Sequence, residues 1–122
     1  GSAPPRAVEA DAYPTDGEVL AHGVVALHTP GHTPGHFSYW DPSLSALFSG
    51  DALAVCSGQI SFMSRFLTDD LQRGLASLRR LMDLEAQVLC PGHRRALAVG
   101  VEAERARMRA YLDGGGRWPF LS

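Results

Sequence analysis

Short apolar runs broken by Gly, Pro and small polar residues fill the first half of the chain, and two stretches of helical period fill the second. Residues 18–21 and 24–28 are apolar runs split by His22-Gly23, which predicts a hairpin. Residues 37–40 and 44–49 flank Asp41-Pro42-Ser43, a turn cluster, and predict a second hairpin. Residues 52–66 read as loop with a short strand. Thr68 then suits a helix N-cap, and Asp69 and Asp70 favour the positive end of the helix dipole. Leu71, Leu75, Leu78, Leu81 and Met82 fall on one face, so this helix is expected to run to about residue 84. Residues 87–90 read as a buried strand ending at Pro91-Gly92. A second helix is expected over 97–112, with Leu97, Val101, Met108 and Tyr111 on one side and Glu and Arg on the other; Gly114-Gly115-Gly116 ends it.

This order, strands followed by helix, strand and helix, predicts an α/β fold with a mixed sheet and helices on one face. The expected organisation is an irregular lead-in at 1–16, one folded unit at 17–112 and a tail at 113–122. The tail's Trp118 and Phe120 predict that it docks on something. Gly1-Ser2 is compatible with a cloning remnant, so the natural start can lie upstream.

Composition narrows the setting. A chain of 122 residues makes one domain at most. Ordinary apolar content and a net charge of −2 argue against disorder and against a nucleic-acid partner. No apolar run is long enough for a membrane span, and no secretory signal is present in these residues. All 11 basic residues are Arg, with no Lys, no Asn and one Ile, which reads as the codon bias of a GC-rich, bacterial genome. The arginine groups read as solvated helix faces. Two cysteines, Cys56 and Cys90, are too few for a disulfide framework, so free thiols in a reducing cytoplasm are expected.

The chemistry concentrates in His28-Thr29-Pro30-Gly31-His32-Thr33-Pro34-Gly35-His36. Pro30 and Pro34 lack a backbone donor and exclude a regular helix, while the glycines allow tight bends. A stiff loop presenting imidazoles suits a metal site. Ser49-Gly50-Asp51 and Cys90-Pro91-Gly92-His93 each place a further candidate ligand just after a predicted strand. Neutral imidazole and carboxylate suit zinc, manganese or iron, and an aspartate can bridge two ions.

In that order the three pieces resemble the metallo-β-lactamase superfamily, whose TPGHT, GD and PGH segments each supply one ligand. The resemblance covers roughly residues 17–112. It implies His32, Asp51 and His93 as metal ligands, with Asp51 the bridging, catalytic carboxylate and up to two ions, zinc foremost, in a complete site. His36 reads as a hydrogen-bonding residue beside the ligands, and His28 and His22 read as structural. The family's H-x-H-x-D-H cluster has no match here, so the chain resembles the C-terminal half of the αββα sandwich. The expected activity of the parent fold is attack of metal-activated water on an ester, thioester, lactone or related carbonyl of a small molecule, with this chain alone inactive. The alternative is a metal-free half-fold serving self-association or partner binding. In either case the inner sheet face, normally covered by the other half, predicts a homodimer or a complex with an N-terminal half.

Overall fold

A computed structural model describes residues 13–31, 33–61, 70–92 and 95–114. Thr68, Asp69, the tail from residue 115, and two of the predicted ligands, His32 and His93, lie outside the described residues.

A four-stranded sheet carries the unit. Strands β1 (Val25–His28), β2 (Phe37–Asp41), β3 (Ala46–Gly50) and β6 (Val88–Pro91) lie side by side in that order. The first two pairings are antiparallel, and β3 and β6 are parallel. The sheet is therefore mixed, as predicted. Between β3 and β6 the chain makes a small hairpin, β4 (Ala54–Cys56) and β5 (Gln59–Ser61), and then helix α1 (Leu71–Met82). Helix α2 (Val101–Asp113) follows β6.

Alternation sorts the sheet residues by face. Leu27, Leu47 and Leu89 are buried against Leu78, Leu81 and Met82 of α1 and Val101, Met108 and Leu112 of α2, with Val25 and Trp40 packed at the margin. Both helices thus cover one face. The opposite face carries Tyr39, Phe48 and Cys90 in register, and Phe48 is 40% exposed.

Several element ends differ from the sequence expectation. Helix α1 is capped by Asp70, whose Oδ1 accepts the Arg73 N–H at 3.1 Å, two residues after the expected cap. Helix α2 begins at Val101 and not at Leu97. Leu97 instead exchanges two backbone hydrogen bonds of 2.8 Å with Leu89, and Gly100 (φ +75°) turns the chain into the helix. The hairpin β4–β5 was expected only as loop and short strand; Ser57 and Gly58, both at positive φ, make its two-residue turn. The expected strand at 18–21 is reduced to a bridge between Val19 and Val25, because a 3-10 turn at Ala21–Gly23, with His22 at φ 63°, breaks it.

Side chains tie the helices to the rest. Arg105 is buried and its Nε donates to the Met82 carbonyl at 3.2 Å, placing a cation on the C-terminal end of α1. Glu104 Oε1 accepts the Ile60 N–H at 2.8 Å while Arg107 Nη2 donates to the Ile60 carbonyl at 2.7 Å, so one turn of α2 grips both backbone groups of a β5 residue. No helix among the described residues is long and apolar enough to cross a membrane.

Candidate metal centre

Since β1, β3 and β6 run in one direction, their C-terminal ends share one edge of the sheet. Each of the three motif segments leaves that edge. The Thr29–Gly31 stretch follows β1, Asp51 follows β3, and Gly92 follows β6. Segments far apart in sequence are brought together by strand direction alone.

The β3 and β6 ends meet closely. The Gly92 N–H donates to the Gly50 carbonyl at 2.9 Å. The carboxylate of Asp51 lies over Gly92: a β-carbon built there would sit 2.7 Å from Asp51 Oδ1. Glycine immediately before His93 is thus what allows the Asp51 carboxylate to lie against that segment. A register shift between Phe48 and Gly50, with Gly50 at φ +54°, turns the chain at this point.

The β1 loop is held from both sides. Gly31, at φ +144°, presses on the first turn of α1, where an added β-carbon would lie 2.4 Å from the Gly74 Cα. Its carbonyl accepts the Asp70 N–H at 3.1 Å, its N–H donates to the Thr33 carbonyl at 3.1 Å, and Ser77 Oγ donates to the Pro30 carbonyl at 2.7 Å. The residues on either side of His32 are therefore fixed, although His32 itself is outside the described residues.

His36 closes the loop. Its Nδ1 is 2.9 Å from Thr29 Oγ1, and its Nε2 faces Gly50, 2.8 Å from where a β-carbon would be. Thr29 Oγ1 is in turn 2.8 Å from Ser38 Oγ, and Ser38 Oγ donates to the Ser49 carbonyl at 3.4 Å. His28 turns the other way: its Nε2 donates to the Pro34 carbonyl at 2.9 Å and its ring tilts against Phe37 at 5.1 Å, a loop-holding role. Cys90 is paired with Phe48 within the sheet.

Two carboxylates outside this edge titrate low. Arg107, followed by the Ile60 N–H, holds Glu104 below its ordinary value despite burial. The His28 backbone N–H, helped by Arg80, does the same for Asp16, which accepts from both at 2.9 and 2.8 Å. That second contact ties the segment before β1 to α1.

Of the predicted site residues, the structure brings His36 and Asp51 to one end of the sheet, on either side of the β3 terminus. Among the described residues no group of three or more His, Cys, Asp or Glu forms a metal cluster. Sequence reading passed over Thr29, Ser38, Gly74 and Ser77. Thr29 lies inside the histidine-rich segment, but its hydroxyl contacts with Ser38 and His36 depend on strand register, and Gly74 and Ser77 act on Gly31 and Pro30, distant along the chain.

A family model described as the metallo-beta-lactamase superfamily matches residues 4–93. The chain belongs to the metallo-beta-lactamase superfamily. It is similar to a Beta-lactamase-like protein 2 homolog of Caenorhabditis elegans, 39% identical over 89 residues, which cover 70% of this chain and 28% of that protein. A hydroxyacylglutathione hydrolase-like protein of Mus musculus is 38% identical over 92 residues, covering 67% of this chain and 31% of its own. Among solved structures, TTHA1623 in a di-iron-bound form aligns at a TM-score of 0.60 and 32% identity, over 75% of this chain and 45% of that one. The chain thus spans less than half the length of each of these relatives, and corresponds to a fragment of the superfamily fold.

Proposed function

We propose that this chain carries the C-terminal ligand set of a metal-dependent superfamily hydrolase, with His32, Asp51 and His93 as the ligands. The carrying observation is the Asp51 carboxylate lying against Gly92, the residue before His93. That contact supports a site assembled at the β3 and β6 ends. The donor set of two imidazoles and one carboxylate fits zinc or iron, and the di-iron form of a similar protein favours metal at this place in the fold.

Bound there, metal would supply a Lewis acid and an activated water for attack on a carbonyl. The chain's own contribution is positional. The Gly31 clamp fixes the approach to His32, the turn at Gly50 aims Asp51, and His36 packs against that turn. The similarity to a hydroxyacylglutathione hydrolase-like protein favours a thioester among the carbonyl substrates. Three ligands shared between two ions leave no ion with a protein set of three or four, so catalysis requires ligands from an N-terminal half.

The Phe48, Tyr39 and Cys90 face supports the association part of the reading. Phe48 is exposed on that face, with Tyr39 and Cys90 half-buried beside it, and this favours a contact there with an N-terminal half or a second copy. Equilibrium dialysis with zinc tests the metal assignment: weak uptake that Asp51→Ala removes supports it, and uptake unchanged by that substitution overturns it.

A further inference from the structure

We propose that Thr29 and Ser38 are positioning residues that hold His36 in its Nδ1–H tautomer, so that its Nε2 presents a lone pair toward the Gly50–Asp51 turn. The argument follows the direction of the hydrogen bonds. A carbonyl oxygen only accepts, so at the Ser49 carbonyl the Ser38 hydroxyl must be the donor. A serine hydroxyl has one hydrogen. When it goes to the Ser49 carbonyl at 3.4 Å, the one assignment that satisfies all three contacts of the relay, Ser38 Oγ faces Thr29 as an acceptor, and the Thr29 hydroxyl donates across the 2.8 Å contact. Thr29 Oγ1 has then spent its only hydrogen, so across the 2.9 Å contact with His36 it accepts, and the proton sits on Nδ1.

The chain of bonds is shielded from rearrangement by water. Thr29, Ser38 and Ser49 are all buried. The Ser49 carbonyl also accepts the Ala52 N–H at 3.1 Å, which fixes the far end of the relay to the turn after β3. Thr29 is anchored as well, because its N–H donates to the His36 carbonyl at 2.9 Å. The residue after β1 and residues of β2 and β3 thus cooperate on one ring.

The consequence concerns polarity. A neutral imidazole has one donor and one acceptor, and which is which depends on the bond made by the other nitrogen. His36 faces the Gly50–Asp51 turn as an acceptor, able to orient an N–H or O–H there and unable to donate a proton to it. That this acceptor serves ligand histidines or water at a metal rests on the proposed function; the tautomer itself does not.

The test reads the tautomer on the metal-free chain. Histidine labelled with nitrogen-15 is incorporated, and long-range proton–nitrogen correlations are recorded well above the imidazole pKa of about 6.5, where the ring is neutral. The expected result is a protonated Nδ1 and an unprotonated Nε2 for His36. In Thr29→Val the acceptor is lost, and the Nε2–H form is expected to become the major one; Thr29→Ser is expected to restore the original pattern. In Ser38→Ala the Thr29 hydroxyl is released to donate to Nδ1, so the tautomer is expected to invert with the Thr29 side chain still in place. An Nε2–H form in the unsubstituted chain overturns the proposal, as does an unchanged pattern in both Thr29→Val and Ser38→Ala samples whose amide spectra remain native. Zinc uptake measured on separate aliquots reports on the proposed function, so either reading can fail without the other.

Discussion

Gly31 and Gly74 touch backbone to backbone: a β-carbon on Gly31 would lie 2.4 Å from the Gly74 Cα and 2.8 Å from its nitrogen. This contact sets the β1 loop on the first turns of α1 with no side chain between them. The φ of +144° at Gly31 is also one that other residues rarely adopt.

Gly31→Ala is therefore expected to destabilise the fold by about 1–3 kcal/mol, through backbone strain and forced separation of loop and helix. Urea denaturation checks this. A midpoint unchanged from the parent chain would show that the clamp relaxes without cost.

Gly92→Ala is expected to behave differently. Its added methyl meets the Asp51 carboxylate, a movable side-chain end, before it meets the Gly50 backbone at 3.1 Å. The outcome predicted is a displaced carboxylate, with metal affinity reduced about tenfold or more and a loss of stability below about 1 kcal/mol. Parallel zinc titration and thermal melting separate the two effects.

Acid should loosen the grip of α2 on β5. Glu104 titrates below its ordinary value of 4.5 because the Arg107 guanidinium and the Ile60 N–H favour its charged form. A depressed folded-state value adds stability that is present above about pH 4.5 and is lost as pH falls through the lowered value. Glu104→Gln is expected to flatten the acid limb of a stability–pH curve while Asp16 keeps its own share. Coincident curves for the two proteins would exclude the assignment.

Removing the buried cation at the end of α1 has a clear sign as well. Arg105→Met keeps an unbranched stem but loses the bond to the Met82 carbonyl and the favourable charge at the helix terminus. A loss of about 1–3 kcal/mol is expected, readable as a lowered melting temperature.

On the proposed reading, hydrolysis draws on ligands from an N-terminal half. Adding a cognate N-terminal half to this chain is expected to produce metal-dependent thioester hydrolysis that Asp51→Ala abolishes. Equal turnover with and without that half would contradict the requirement for shared ligands.

The legible parts of this fold were those coded locally. The short apolar runs at 24–28 and 44–49, the leucine stripe of α1 and the turn at Asp41-Pro42-Ser43 gave strands, helix and hairpin close to their observed places. Leu97 was misplaced because its apolar character fits a helix face as well as a bridge to Leu89, and only the tertiary partner decides between them. The short strands β4 and β5 carry too few residues for a period to show. At the candidate site, the motif glycines were readable as bends, but the reasons each position excludes a side chain were not. Gly31 faces Gly74, Gly50 faces His36 and Gly92 faces Asp51, all partners remote in sequence.

The bonds around β1, β5 and β6 have a consequence for how copies of this protein behave when crowded. Gly17 and Glu18 occupy the outer hydrogen-bonding groups of Ala26, Leu97 occupies those of Leu89, and the Glu104–Arg107 pair occupies those of Ile60. At each of these positions the strand border offers an incoming strand no open donor or acceptor, the usual seed of fibrous, sheet-extending aggregation. Edge-to-edge strand addition, and with it open-ended growth along the borders, is thereby disfavoured at each of these positions.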